Sequence, residues 1–186
     1  MFKEITIIGG AGHVGLAYAL ICVQNNIRVH INDTNEESIN LIKNGSLPHK
    51  EKNGLTILKK AIKKNLITFS NSIKNIKINK INIVCLGTPI DEFLNPEHKI
   101  LTNLFTDLSK FLRNNDHIIL RSTVSPGTTR YLHKILNKSQ EFLKDPEGFK
   151  RKRQNREYTA KEKQEIKYLN MSKQDVTNES FLEAEW

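Results

Sequence analysis

Short apolar runs alternate with longer amphipathic stretches along the first 138 residues. Ile5-Thr6-Ile7-Ile8 is a β-rich run that stops at Gly9-Gly10, as a buried strand does. Residues 13–24 follow with Val14, Leu16, Ala17, Leu20, Ile21 and Val23 at helical spacing. Residues 27–33 alternate and predict a second strand. Thr34 or Asn35 can cap the next helix, Glu36 and Glu37 suit its positive end, and Asn44-Gly45 stops it. Beyond a polar loop over 46–53, the pattern predicts a helix over 55–64 and a strand over 66–69. A helix of one or two turns then runs from a Ser70 or Asn71 cap to Ile76. Residues 81–86 read as a strand ending at Gly87-Thr88-Pro89, 101–112 as a helix, and 117–121 as a fifth strand ending at Ser122-Thr123. Pro126-Gly127-Thr128-Thr129 opens a last helix to about Leu136. Strands alternating with helices call for an α/β fold, a doubly wound parallel sheet with right-handed crossovers.

After Lys138 the pattern lapses. Residues 139–186 are rich in Lys, Arg, Glu, Gln and Asn, with isolated apolar residues and a helical pattern only around 158–170. They predict a charged, partly helical or disordered tail behind a domain over 1–138. With 38% hydrophobic residues the chain can build a core, which excludes a wholly disordered or collagenous protein. The net charge of +9 arises entirely in residues 1–138, which carry 19 basic and 10 acidic side chains against ten of each beyond. Those lysines are dispersed with few aromatics between them, so they read as compositional drift toward Lys, Asn and Ile rather than a nucleic-acid surface. An anionic ligand profits from the positive field either way. The cluster Lys150-Arg151-Lys152-Arg153 has acidic neighbours that neutralise it.

Cys22 and Cys85 are too few for a disulfide scaffold and lack zinc-site spacing, so no metal is expected. The uncharged stretch between Glu4 and Arg28 mimics a leader peptide, but its glycines and His13 interrupt it and Gln24-Asn25-Asn26 close it. It is also too broken for a bilayer span. A cytoplasmic protein without membrane association is expected.

Gly10-Ala11-Gly12-His13-Val14-Gly15 fits G-x-G-x-x-G between a strand and a helix. In a Rossmann-type unit Gly10 permits the tight turn, Gly12 lets the backbone approach a pyrophosphate, and Gly15 lets the helix pack on the sheet. The amides of His13 and Val14 then face the phosphates, helped by the helix dipole. Asp33, at the end of the next strand, is placed to accept hydrogen bonds from an adenosine ribose. A carboxylate there repels a 2′-phosphate and Thr34-Asn35 supplies no arginine, so NAD is expected over NADP. Alternatively, the glycine turn belongs to an unrelated α/β protein with Asp33 as a helix cap.

Two later strand ends carry polar turns, Gly87-Thr88-Pro89-Ile90-Asp91-Glu92-x-Leu94-Asn95-Pro96 and Arg121-Ser122-Thr123-Val124-x-Pro126-Gly127-Thr128-Thr129. With the glycine turn and Asp33, they resemble the N-terminal domain of the UDP-glucose/GDP-mannose dehydrogenase family over roughly residues 3–137. The first turn is similar to that of the branch acting on UDP-N-acetylhexosamines, such as UDP-N-acetylmannosamine dehydrogenases of polysaccharide biosynthesis. The resemblance implies that Gly87, Thr88, Pro89, Ser122 and Thr123 line the NAD site. It also implies that Thr123 helps hold a catalytic water near the nicotinamide. The reaction it implies is a two-step oxidation of the sugar C6 alcohol to a carboxylate through a cysteine-bound thiohemiacetal and thioester.

Elsewhere the sequence departs from the family. No G-x-C-x-P-K-D motif appears, and Cys22 on a helix and Cys85 in a strand read as small core residues. Asp145-Pro146-Glu147 echoes a family Pro-Glu pair without a preceding strand, and Asn53-Gly54-Leu55 keeps only part of a Glu-Pro-Gly loop beside His49 and Glu51. The expectation is the NAD-binding portion of a nucleotide-sugar dehydrogenase, truncated and inactive alone. The expected partners are NAD and, where a C-terminal half is supplied, a UDP-sugar. Apolar surface bared by the lost sixth strand makes a homo-oligomer or poor folding a further expectation. The rival readings are a non-catalytic NAD-binding or partner-binding module, one half of a split enzyme and, last, a nucleic-acid binder.

Overall fold

The computed structural model describes residues 4–87, 99–113 and 115–144, with the backbone only over 138–144. Contacts divide the chain into Met1–Glu141 and Phe142–Trp186, and the second unit holds only the last described turn of a helix. In chain order the elements are β1 (Glu4–Ile8), α1 (His13–Gln24), β2 (Arg28–Asn32), α2 (Glu36–Lys43), α3 (Gly54–Lys63), β3 (Ile67–Ser70), β4 (Ile81–Val84), α4 (Lys99–Leu108), β5 (His117–Leu120) and α5 (Thr128–Lys144). All strand pairs are parallel, in the order β3-β2-β1-β4-β5. This is the Rossmann-type doubly wound sheet that the alternation predicts, and its first two crossovers run outward in the direction opposite to the later ones.

Odd-numbered strand residues build one face. Ile5, Ile7, Val29, Ile31 and Ile83 meet Ala19 and Val23 of α1 and Ala61 of α3. Leu16 and Leu20 of α1 close a second cluster with Ile39 and Ile42 of α2 and Leu58 of α3. On the even face, Ile8 and Val84 pack with Leu101, Phe105 and Leu108 of α4 and Leu132 of α5. Each wholly buried Leu or Ile contributes about 1.5–3 kcal/mol of transfer free energy, so the three clusters supply the driving force. α2 is capped by Asn35, whose Oδ1 accepts the Ser38 N–H at 3.0 Å.

Toward β3 the even face is polar. Asn82, Thr6, His30 and Thr68 lie side by side across four strands, and Asn32 stands beside Ser70. Over them passes the connection from β3 to β4, where the helix expected up to Ile76 shrinks to a 3-10 turn at Ile73–Asn75. Its cap is Ser72, whose Oγ accepts the Lys74 N–H at 3.2 Å, rather than Ser70 or Asn71. A covering segment without a regular helix leaves backbone groups that need partners. The sheet supplies them: Asn32 Nδ2 donates to the Ser72 carbonyl at 3.1 Å, Asn82 Nδ2 to the Asn79 carbonyl at 2.7 Å, and the Thr6 hydroxyl to the Lys77 carbonyl.

His30 is the titratable member of this row. Its Nδ1 lies 2.8 Å from the Thr68 hydroxyl and its Nε2 2.9 Å from that of Ser70. Burial pushes its pKa below the usual 6.5, the Lys77 ammonium adds to the drop, and Glu4 partly offsets it. The folded state thus prefers neutral His30 and the unfolded chain takes up the proton first. The stabilisation is complete above about pH 6.5 and declines as pH falls below it toward the folded value. Urea midpoints at pH 8 and pH 5 are expected to differ more for the wild type than for His30→Gln. An equal difference would mean that His30 does not carry this part of the acid sensitivity.

The helix expected to end near Leu136 continues to Lys144. Residues 137–144 contain no helix breaker. β5 forms the outer edge of the sheet beside β4, and Ile119 on it is 44% exposed. Among the described residues no helix is long and apolar enough to cross a membrane.

Candidate functional site

Because every strand is parallel, the segments that leave β1, β2, β4 and β5 emerge at one carboxyl edge. β1 and β4 are neighbours whose following helices, α1 and α4, cover opposite faces, so a crevice opens between their ends.

The first wall of that crevice is the glycine turn. The residue in the left-handed region is Gly9, with φ +74°, not Gly10, where the tight turn was expected. Gly9 and Gly10 both direct their N–H groups to the Asn32 carbonyl, at 2.8 and 3.3 Å, which ties the turn to β2. Gly10 is held by proximity instead, since a Cβ there would lie 2.9 Å from the Ile7 carbonyl oxygen. A Cβ at Gly15 would sit 2.1 Å from the Gly9 carbonyl oxygen, so α1 leans directly on the turn as expected. At Gly12 an added Cβ meets only that same oxygen, at 3.5 Å, leaving space above the turn.

α1 begins at His13 with no side-chain cap and no acidic residue in its first turn. α2 has its Asn35 cap and both Glu36 and Glu37. The first amides of α1, among them those of His13, Val14 and Gly15, therefore keep donors and a positive dipole end for an anion. Asp33 stands beside them, half-buried at the end of β2. One carboxylate oxygen accepts the Ala11 N–H at 2.9 Å and the other the Asn35 N–H at 3.0 Å. Each oxygen keeps a further lone pair for a ligand hydroxyl.

The opposite wall comes from β4 and β5. Gly87 has nothing within 4 Å of an added Cβ, and the expected cofactor contacts Thr88 and Pro89 lie outside the described residues, as does Glu147. After β5, the Ser122 hydroxyl is buried without a hydrogen-bond partner among the described residues, and Thr123 beside it is exposed. A buried hydroxyl left without a partner costs free energy, which a ligand group can recover. The Arg121 guanidinium lies 5.4 Å from the Tyr18 ring centroid, so it anchors this turn to α1.

Both cysteines are half-buried and unpaired. Burial pushes the Cys22 thiol up, and the Cys85 thiol likewise, with Arg121 partly opposing. The thiolate is the reactive form, so neither residue is prepared to act as a nucleophile.

One contact at the turn is not legible in the sequence. The His13 and His49 rings are stacked, with centroids 3.5 Å apart and planes 23° from parallel. His49 sits in an aperiodic polar loop, and nothing in its neighbours points back to the first helix.

The free room above Gly12, the uncapped start of α1, Asp33 and the Ser122 hydroxyl, unpartnered among the described residues, fit a ribose- and diphosphate-bearing cofactor. Residues 3–166 match the family model described as the UDP-glucose/GDP-mannose dehydrogenase family, NAD binding domain. A UDP-N-acetyl-D-mannosamine dehydrogenase of Methanococcus maripaludis is 31% identical over 140 residues, 73% of this chain and 32% of the relative. The structure of a UDP-D-ManNAc dehydrogenase from Pyrococcus horikoshii superposes with a TM-score of 0.68 at 22% identity, over 74% of this chain and 32% of that one. A GDP-mannose dehydrogenase from Pseudomonas aeruginosa gives 0.66 at 20% identity, over 74% and 32%. The structural likenesses establish the fold, and the chain spans about a third or less of the curated relatives it matches.

Proposed function

Since this chain belongs to the UDP-glucose/GDP-mannose dehydrogenase family, as its NAD binding domain, we propose that it holds NAD across the crevice between β1 and β4 and serves the oxidation of a nucleotide sugar. Gly10, Gly12 and Gly15 shape the diphosphate turn, and the amides of His13 and Val14 donate to the phosphates. Asp33 accepts from the adenosine ribose, while Gly87, Thr88, Pro89, Ser122 and Thr123 line the nicotinamide side. The observation that carries this reading is the glycine turn itself, open at Gly12, uncapped at α1 and hydrogen-bonded to Asp33. NAD, when bound, supplies the hydride acceptor.

The reaction class is oxidation of the C6 alcohol of a UDP-N-acetylhexosamine to the carboxylate. Thr123, exposed after β5, is an auxiliary group that holds water at the nicotinamide side. A cysteine-bound intermediate needs a thiolate, and burial disfavours that form at both Cys22 and Cys85. Neither cysteine is therefore prepared for that step, and the reading for this chain centres on holding the cofactor. Two unpaired cysteines suit a reducing cytoplasmic setting.

Calorimetric titration of the 186-residue chain with NAD and with NADP tests the assignment. Saturable NAD binding and much weaker NADP binding are expected. A folded chain that binds neither would sink it.

A further inference from the structure

His13 is the first residue of α1, immediately after Gly12, and His49 comes from the loop between α2 and α3. The ends of that loop are secured by backbone bonds, the Ser46 N–H to the Leu41 carbonyl at 2.9 Å and the Gly54 N–H to the Glu51 carbonyl at 3.0 Å. Residues 46–56 line an open cavity of about 730 Å³. Its surface mixes Lys50 and Lys52, both exposed, with the half-buried Glu51. Between the two secured ends, the His13–His49 stack at 3.5 Å joins the middle of the loop to the start of the glycine-turn helix.

We propose that His49 is a positioning residue for the cofactor. Its ring, stacked on His13, holds the α2–α3 loop against the first turn of α1, so that loop closure and diphosphate binding stabilise one another. This rests on the NAD reading of the crevice. Stacking needs a flat ring with a polarisable face, which fixes the orientation of both partners. His13 held in this way has its ring fixed at the start of α1, next in sequence to Gly12. A ligand that binds the closed arrangement in preference to the open one must shift the loop toward closure, by linkage.

Two readouts on the full chain separate the stack from the cofactor. The first is tryptic cleavage after Lys52, mapped by mass spectrometry, for wild type, His49→Ala and His49→Phe without NAD. His49→Ala is expected to be cut several-fold faster, and His49→Phe, which keeps a ring, at close to the wild-type rate. The second is NAD affinity and the protection of Lys52 by saturating NAD. His49→Ala is expected to bind up to about tenfold more weakly, the scale of a lost aromatic pair, with His49→Phe restoring affinity. Equal cleavage of wild type and His49→Ala without NAD overturns the proposal whatever NAD does. So does a His49→Phe chain that behaves like His49→Ala. If the wild type binds NAD and His49→Ala binds it equally, the coupling is wrong while the NAD reading stands. A folded wild-type chain that binds no NAD overturns both.

Discussion

Gly15→Ala is expected to cost about 3 kcal/mol or more of folding stability, at or beyond the upper end for overpacking. An added Cβ would lie 2.1 Å from the Gly9 carbonyl oxygen, 2.7 Å from the Gly10 Cα and 2.9 Å from the Gly9 carbonyl carbon. All three atoms are backbone, so no side chain can rotate away. Relief requires α1 to lift off the turn, which loosens Leu16, Ala19, Leu20 and Val23, each buried against the sheet or α3. A small domain has about 5–15 kcal/mol in total, so a large share of the margin goes at once. Gly12→Ala is the control, because its Cβ finds an ordinary contact at 3.5 Å and the backbone there, at φ −76°, suits any residue. It is expected to keep stability within about 1 kcal/mol, the scale of changing an N-cap residue, yet to weaken NAD at least tenfold by filling the space above the turn. Urea midpoints and NAD titrations of the two variants read both effects. A Gly12→Ala chain that binds NAD normally would move the diphosphate elsewhere.

The contrast between the two glycines also shows what a sequence can carry. The turn, α1 and Asp33 belong to one βαβ unit, where spacing along the chain is spacing in space, so their roles can be read from order alone. The elements β1, α1, α3 and β5 lie within a residue or two of their predicted ranges. Legibility fails where the partner is remote. Asn82, Thr6 and Asn32 look misplaced in buried strands until the connection from β3 to β4 is seen to need acceptors and donors beneath it. That connection itself misleads: Ile73 and Ile76 have helical spacing, but Ile76 and Ile78 alternate, and only a 3-10 turn forms. The left-handed position falls on Gly9 rather than Gly10, because a run of consecutive glycine candidates does not reveal which one reverses the chain. His49 is the extreme case, since an aromatic stack between a loop and a helix start leaves no periodic trace.

Asp33 carries the largest expected effect on cofactor choice. Its carboxylate already accepts two backbone amides, Ala11 N–H at 2.9 Å and Asn35 N–H at 3.0 Å, so truncation to alanine removes more than a ligand contact. Ala11 is 1% exposed, and its amide would be left without that acceptor, at a cost of about 1–3 kcal/mol. Asp33→Ala therefore mixes loss of the turn with loss of the ribose contact. Asp33→Asn separates them: one oxygen remains for a backbone amide, while the charge that strengthens a ribose hydrogen bond is gone. A hydrogen bond to a charged group contributes about 1.5–3 kcal/mol, so Asp33→Asn is expected to bind NAD about 10- to 100-fold more weakly. NADP should not lose in proportion, because the same substitution removes the repulsion of a 2′-phosphate. The ratio of the two affinities, measured by titration, is therefore expected to fall by at least about tenfold. If Asp33→Asn instead lowers the urea midpoint and leaves the NAD-to-NADP ratio unchanged, the carboxylate only ties the glycine turn to the start of α2. The discrimination between cofactors would then have to lie in other residues at the end of β2.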